Sequence, residues 1–193
     1  MGKKKGSTGS KTGFAWLLTG PPGIGKSTIA KELASRFEKA VWVDVDSLRA
    51  MVVSGNAKPW EKTRETELQI EISLENACSI AKNFAENGFA VFIDDVVLSA
   101  KKLEQYRQKL KAFGFKAFLL EADKKTIEER DRKRGRDKAM GKRAIELQTK
   151  FSKAGSKGWV KINSGRKTAK ETASEILKAV KQESALVGHT RLK

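Results

Sequence analysis

Cysteine and histidine are almost missing: the 193 residues hold one of each, Cys78 and His189. A single thiol forms no internal disulfide, and Cys78 falls on an apolar helical stripe, so a buried thiol in a reducing, cytoplasmic setting is expected. His189 stands in a polar tail without Cys or His companions, which gives no zinc site. No apolar run approaches the roughly 20 residues that a membrane span needs, and no signal peptide is seen, so no membrane partner is expected. Met1-Gly-Lys-Lys-Lys-Gly6 lacks the Ser or Thr at position six that myristoylation requires. Acidic charge is also short. The chain carries 40 Lys and Arg against 23 Asp and Glu, a formal charge of +17. Almost all of that surplus lies in residues 101–170, with 23 basic and 8 acidic residues. A surplus confined to one half points to an anionic ligand or partner more than to general solubility.

Against these absences one stretch stands out, Gly20-Pro-Pro-Gly-Ile-Gly-Lys-Ser27 followed by Thr28. It satisfies G-x-x-x-x-G-K-[ST] at every required position. Phe14-Ala-Trp-Leu-Leu18 before it has the length and apolarity of a buried strand. After it, Ile29, Ala30, Leu33, Ala34 and Phe37 share one helical face. Gly20, Gly23 and Gly25 permit backbone angles and close approach that a Cβ forbids, so successive N–H groups of the loop can ring a phosphate. The expected nucleotide site is therefore Gly20, Pro21, Pro22, Gly23, Ile24, Gly25, Lys26, Ser27 and Thr28. Lys26 reaches the β- and γ-phosphates and the Ser27 hydroxyl ligates Mg²⁺, which makes ATP and Mg²⁺ the expected cofactors.

The remaining chain alternates strands with helices. Residues 40–46 read as a second strand, 63–87 as a long helix, 89–93 as a third strand, 115–120 as a fourth and 159–162 as a fifth. A last helix spans 168–180. The expected fold is α/β in three layers, a P-loop NTPase whose five-stranded parallel sheet has helices on both faces and a basic lid. Residues 1–12 are expected to be a disordered basic arm, 13–182 the domain with its lid at about 124–145, and 183–193 a flexible tail.

Three clusters suggest chemistry beyond nucleotide binding. Asp46 at the end of the second strand is placed to take a proton from an attacking hydroxyl, with Arg49 one helical turn on to hold the substrate. The competing role for Asp46 is a helix cap at Ser47. The Asp94-Asp95 pair closes the third strand. One acid serves Mg²⁺ and the other faces the acceptor; Asp94 is assigned to the metal and Asp95 to the acceptor, although spacing alone leaves their order open. Glu129-Arg130-Asp-Arg-Lys-Arg134-Gly-Arg136, continuing to Lys142 and Arg143, offers arginines on a hinged segment, with Arg130 and Arg134 favoured to offset transition-state charge.

With these residues in view, the chain resembles P-loop kinases of the nucleoside-monophosphate-kinase type, and more closely the chloramphenicol phosphotransferase-like family. The resemblance rests on the 20–28 loop, Val43-Asp-Val-Asp46-Ser-Leu, Val91-Phe-Ile-Asp-Asp-Val-Val-Leu98 and the segment 129–144. It implies an ATP-dependent phosphotransferase acting on a hydroxyl of a small molecule, with Asp46 as base. It also implies adenine near residues 163–166. A second resemblance, to polynucleotide 5′-hydroxyl kinases, covers Asp46-x-x-Arg49, Asp95, Arg130 and Arg134, and implies a nucleic-acid acceptor held through the basic 101–170 half. Phe151 and Trp159 stand isolated there, with no aromatic ladder to stack bases. A third reading is a P-loop ATPase switch or nucleotide-gated binding protein, recognised by hydrolysis insensitive to Asp46.

Overall fold

The computed structural model describes residues 12–133, 140–153 and 158–183. Five strands, β1 (Phe14–Thr19), β2 (Ala40–Asp44), β3 (Ala90–Asp94), β4 (Lys116–Glu121) and β5 (Val160–Asn163), form one sheet in the order β2-β3-β1-β4-β5. Every pairing is parallel. Parallel neighbours require crossovers, and helices supply them. These are α1 (Lys26–Ala34), α2 (Val45–Ala50), α3 (Arg64–Glu86), α4 (Ala100–Leu110), α5 (Lys124–Lys133) and α6 (Lys142–Lys153), and α7 (Ala169–Glu183) follows β5.

Side-chain alternation along β1 divides the interior into two cores. Phe14, Trp16 and Leu18 face Ile29 and Leu33 of α1 and Ile176 and Val180 of α7. Ala15 and Leu17 face the other way, toward Leu74, Ala77 and Cys78 of α3 and Leu103, Tyr106 and Leu110 of α4. The strand carrying the phosphate loop is thus the centre of the sheet, apolar on both faces, and its C-terminal tip is fixed from both sides.

Strand ends differ from the sequence expectation by one or two residues, and the shifts matter for the site. The second strand ends at Asp44, and α2 begins at Val45, because Asp44 rather than Asp46 caps that helix. The third strand runs through Asp94, which is in register with both Leu18 and Asp44. A polar residue closes each strand where it meets the crevice, so hydropathy overruns the end of β2 and stops one residue short in the other four.

In α3, the polar side chain of Gln69 is buried. Its amide accepts from Ala57 N at 2.9 Å and donates to the Gly55 carbonyl at 2.7 Å, pinning the loop that precedes the helix. Among the described residues, no helix is long and apolar enough to cross a membrane.

Candidate active site

The loop between β1 and α1 bends through three glycines with positive φ: Gly20 at 149°, Gly23 at 81° and Gly25 at 102°. At Gly20 a Cβ would lie 2.7 Å from the Leu120 carbonyl oxygen, so only glycine lets the loop lie so close to β4. Gly25 occupies the cap position of α1 and brings no side-chain hydrogen bond. The first-turn amides of α1 have no acceptor one turn back, so together with the helix dipole they form a cradle for an anion. This cradle suits a polyphosphate.

Lys26 Nζ donates to the carbonyls of Gly20 at 3.2 Å and Pro21 at 3.4 Å, and so curls over the loop it belongs to. Ser27 Oγ donates to Asp94 Oδ2 at 2.5 Å. Burial pushes the Asp94 carboxyl up from its ordinary range; Lys26 and the Ser27 hydrogen bond pull it down, while Asp44 and Asp46 push it up. Ser27 and Asp94 fit a Mg²⁺ that a bound nucleotide helps to hold, since one hydroxyl and one carboxylate are hard oxygen donors. Among the described residues, no group of three or more His, Cys, Asp or Glu gathers to hold a metal unaided.

A cavity of about 1390 Å³ opens in front of this loop. Its walls include Gly23, Ile24, Gly25, Lys26, Ser27 and Thr28, with Asp44 and Asp46 at the tip of β2, Asp94 at the tip of β3, and Arg49 and Arg130. Pro22 also lines it, whereas Pro21 borders a smaller hollow of about 210 Å³ beside Glu121 and Asn163.

At the tip of β2 the two acids divide their tasks. Asp44 accepts from Asp46 N at 3.1 Å and from Ser47 Oγ at 2.6 Å, which is the capping role. Asp46 is left on the first turn of α2 with its side chain 71% exposed and in contact with Arg49 Nη2 at 3.3 Å. The Arg49 side chain is 12% exposed, and its Nε is buried without a hydrogen-bond partner.

The structure separates Asp94 from Asp95. Period-two alternation sends the Asp95 side chain away from the phosphate loop. Its Oδ2 accepts from Tyr106 Oη at 2.8 Å and Lys102 Nζ at 2.7 Å, and its Oδ1 from Val96 N at 2.7 Å. Asp95 is therefore a buried anchor that does not itself border the cavity. Burial and the Asp95 charge push the Tyr106 hydroxyl well up, which keeps it a neutral donor.

Arg130 is placed unlike a free lid cation. Its Nη1 donates to the Ile24 carbonyl at 3.0 Å, and Nη2 to those of Ser164 at 2.9 Å, Gly165 at 3.1 Å and Lys167 at 3.2 Å. It fastens the phosphate loop to the turn after β5, where the family resemblance places adenine. Arg134 lies outside the described residues, as do Gly135 and Arg136. Next to Arg130, buried Asp131 accepts from Met140 N at 2.9 Å and Gly141 N at 2.8 Å, joining α5 to the start of α6.

Lys102 and Trp60 border the cavity without any sequence signal to mark them. Arg143, at the far end of a charge run, stacks on the Trp60 ring at 4.2 Å. Lys102 sits among other charged residues and Trp60 within a loop. No local pattern distinguishes either from a solvated residue.

The AAA domain family model matches residues 16–154. No curated protein sequence matches the chain. Among solved structures, thymidylate kinase from Candida albicans is similar with a TM-score of 0.65 at 12% identity, over 95% of this chain and 99% of that one. A shikimate kinase from Acinetobacter baumannii gives 0.61 at 16% identity, over 91% and 97%. The tunicamycin resistance protein of Deinococcus radiodurans gives 0.59 at 16% identity, over 88% and 96%. At such identities these likenesses establish the fold, which is that of P-loop kinases. A match over most of the length, around an intact phosphate loop at the centre of a five-stranded parallel sheet, makes the chain a member of the AAA domain family.

Proposed function

We propose that this chain is an ATP-dependent phosphotransferase that moves the γ-phosphoryl group of ATP to a hydroxyl of a small acceptor. The observation that carries the reading is the exposed Asp46 carboxylate on the same cavity as Lys26, Ser27 and Asp94. An acid there can take the proton of an attacking alcohol, and the same acid would serve a water, so it is the acceptor that separates a kinase from an ATPase.

In this reading the loop amides and Lys26 hold the phosphates, and Ser27 and Asp94 hold Mg²⁺, which supplies charge neutralisation. Asp46 accepts the proton of the acceptor hydroxyl as its oxygen bonds to the γ-phosphorus. The bond from that phosphorus to the β–γ bridging oxygen breaks, and ADP leaves with the electron pair. Arg49 orients Asp46 and sits beside the acceptor. Arg130 keeps the loop and the turn after β5 at a fixed separation, so the nucleotide meets a preorganised cleft.

The test is phosphoryl transfer from γ-labelled ATP to a panel of hydroxylated small molecules, including antibiotics, nucleosides and sugars, with 5′-hydroxyl oligonucleotides alongside. Labelled product that depends on Lys26 and Asp46 supports the reading. ATP hydrolysis that no acceptor changes, and that survives Asp46→Asn, would leave an ATPase switch.

A further inference from the structure

Among the described residues, three acids and seven bases border the cavity. Asp44, Asp46 and Asp94 stand together at the tips of β2 and β3, beside the phosphate loop. Arg49, which pairs with Asp46, lines the cavity as well, as do Lys102 and Arg143 and the apolar side chains of Leu98, Leu147 and Trp60. The Nε atoms of Arg49 and Arg143 are buried there without hydrogen-bond partners.

Lys102 is held differently from a surface lysine. Lys102 and Tyr106 are one helical turn apart on α4, and both donate to the same Asp95 oxygen, at 2.7 and 2.8 Å. The Asp95 carboxylate is 0% exposed and the Lys102 side chain 15%. Burying a carboxylate is costly unless it is paired, and this one is paired so as to immobilise the cation that faces the cavity. A lysine has three N–H donors and a flexible stem. Asp95 takes one donor and removes much of the flexibility, leaving donors for an acceptor brought into the cavity. A fixed ammonium with donors to spare on the cavity wall favours a negative group and gives a neutral alcohol less.

We propose that Lys102 is a specificity-determining residue of the acceptor end, positioned by Asp95 and Tyr106, and that it selects a small alcohol carrying a carboxylate or a phosphate. The inference rests on the phosphotransferase reading and narrows its acceptor. The apolar wall at Leu98, Leu147 and Trp60 receives the carbon skeleton.

Matched acceptors that differ in charge test it: mandelate against mandelamide, glycerate against glyceramide, and glycerol 3-phosphate against glycerol. Transfer is followed with γ-labelled ATP. Binding is followed by calorimetry with Mg²⁺ and a non-hydrolysable ATP analogue. At least one anionic member is expected to exceed its neutral partner about ten-fold or more in kcat/KM, the scale of a hydrogen bond to a charged group. Lys102→Met should raise KM for that anion by a similar factor with little change in kcat and leave the neutral partner unaffected. Lys102→Arg should restore part of the preference. Asp95→Asn and the milder Tyr106→Phe should shift the same KM by smaller factors, with thermal unfolding recorded for each. Equal use of the anionic and neutral members in every pair, or equal loss of both in Lys102→Met, overturns the proposal. So does a 5′-hydroxyl oligonucleotide that outcompetes every small anion. If transfer fails throughout but anion binding still depends on Lys102, the subsite stands and the phosphotransferase reading falls. If neither transfer nor binding favours an anion, the subsite falls.

Discussion

Two carboxylates two residues apart, Asp44 and Asp46, are held by different contacts, and the proposed base is the one left facing the cavity. Asp44 spends both oxygens on the start of α2, whereas Asp46 keeps its carboxylate toward the cavity. Asp46→Asn is therefore expected to lower kcat by about 10²–10⁴ while leaving ATP affinity intact, the usual range for loss of a general base. Asp44→Ala should instead cost about 1 kcal/mol of stability, as lost caps do. Steady-state kinetics and denaturant titration separate the two, and unchanged turnover in Asp46→Asn removes the base assignment. Cys78 makes a different kind of prediction. Burial pushes its thiol up from the usual 9.0 to about 12, with Glu75 adding to the effect. A thiol whose folded value is raised contributes stability that is whole below pH 9 and lost as pH rises through 12. Alkaline unfolding should thus be less steep in Cys78→Ala, and thiol reagents at pH 8 should label the wild-type thiol only after unfolding. Equal labelling of folded and unfolded chains would mean that Cys78 is not enclosed.

At the scale of elements, the phosphate loop is held by its neighbours as much as by its glycines. Arg130 on α5 ties Ile24 to three carbonyls of the 164–167 turn, a span that only a fork of donors covers. Arg130→Lys keeps the charge and loses the fork. It is expected to cost about 1–3 kcal/mol and to weaken ATP binding. Thermal unfolding and nucleotide titration check this, and a variant with unaltered values for both would make the bracket unimportant. Gly13, just before β1, tests the sheet itself. A Cβ there would lie 1.8 Å from the Phe89 carbonyl oxygen, and that oxygen is backbone. Gly13→Ala should lower stability by about 2 kcal/mol or more in a denaturant melt; a neutral result would show that the 13 and 89 backbones can move apart.

The order of strands and helices is legible in the sequence because apolar period and glycine stops are local signals. Asp94 and Asp44, polar residues inside strands, blur the ends. Spacing offers Asp46 a competing role as the cap on α2, and that cap belongs to Asp44. Gln69 and Asp131 are unreadable, since a buried polar side chain in a helix carries the same letters as a solvated one. Whether an arginine bonds to backbone carbonyls, as Arg130 does, depends on chain segments 34 or more residues apart.

For the molecule as a whole, the basic surplus of residues 101–170 is partly spent in place. Lys102 pairs with Asp95, Lys109 with Glu75, Lys161 with Glu121 and Lys167 with Glu175. These pairs lie on α4, β5 and the turn before α7, so part of the surplus is neutralised where it stands. Oligonucleotides are expected to bind in the non-specific range, about 10⁻⁴–10⁻⁶ M at physiological salt, and to lose affinity steeply as salt rises. Nanomolar binding would return the acceptor to nucleic acid. Mg²⁺ and ATP at about 100 times their dissociation constant should stabilise the fold by about 2.7 kcal/mol, read as a shift in Tm. No shift would contradict a nucleotide site. If Ser27 and Asp94 hold Mg²⁺ as proposed, the hydrogen bond between them would set an order of events. A divalent ion arriving by itself must pull apart a hydroxyl and a carboxylate that already satisfy each other, and it gains only those same oxygens in return. Triphosphate oxygens tip that exchange, so cation and nucleotide should enter as a single complex, and magnesium titrated alone should release almost no heat.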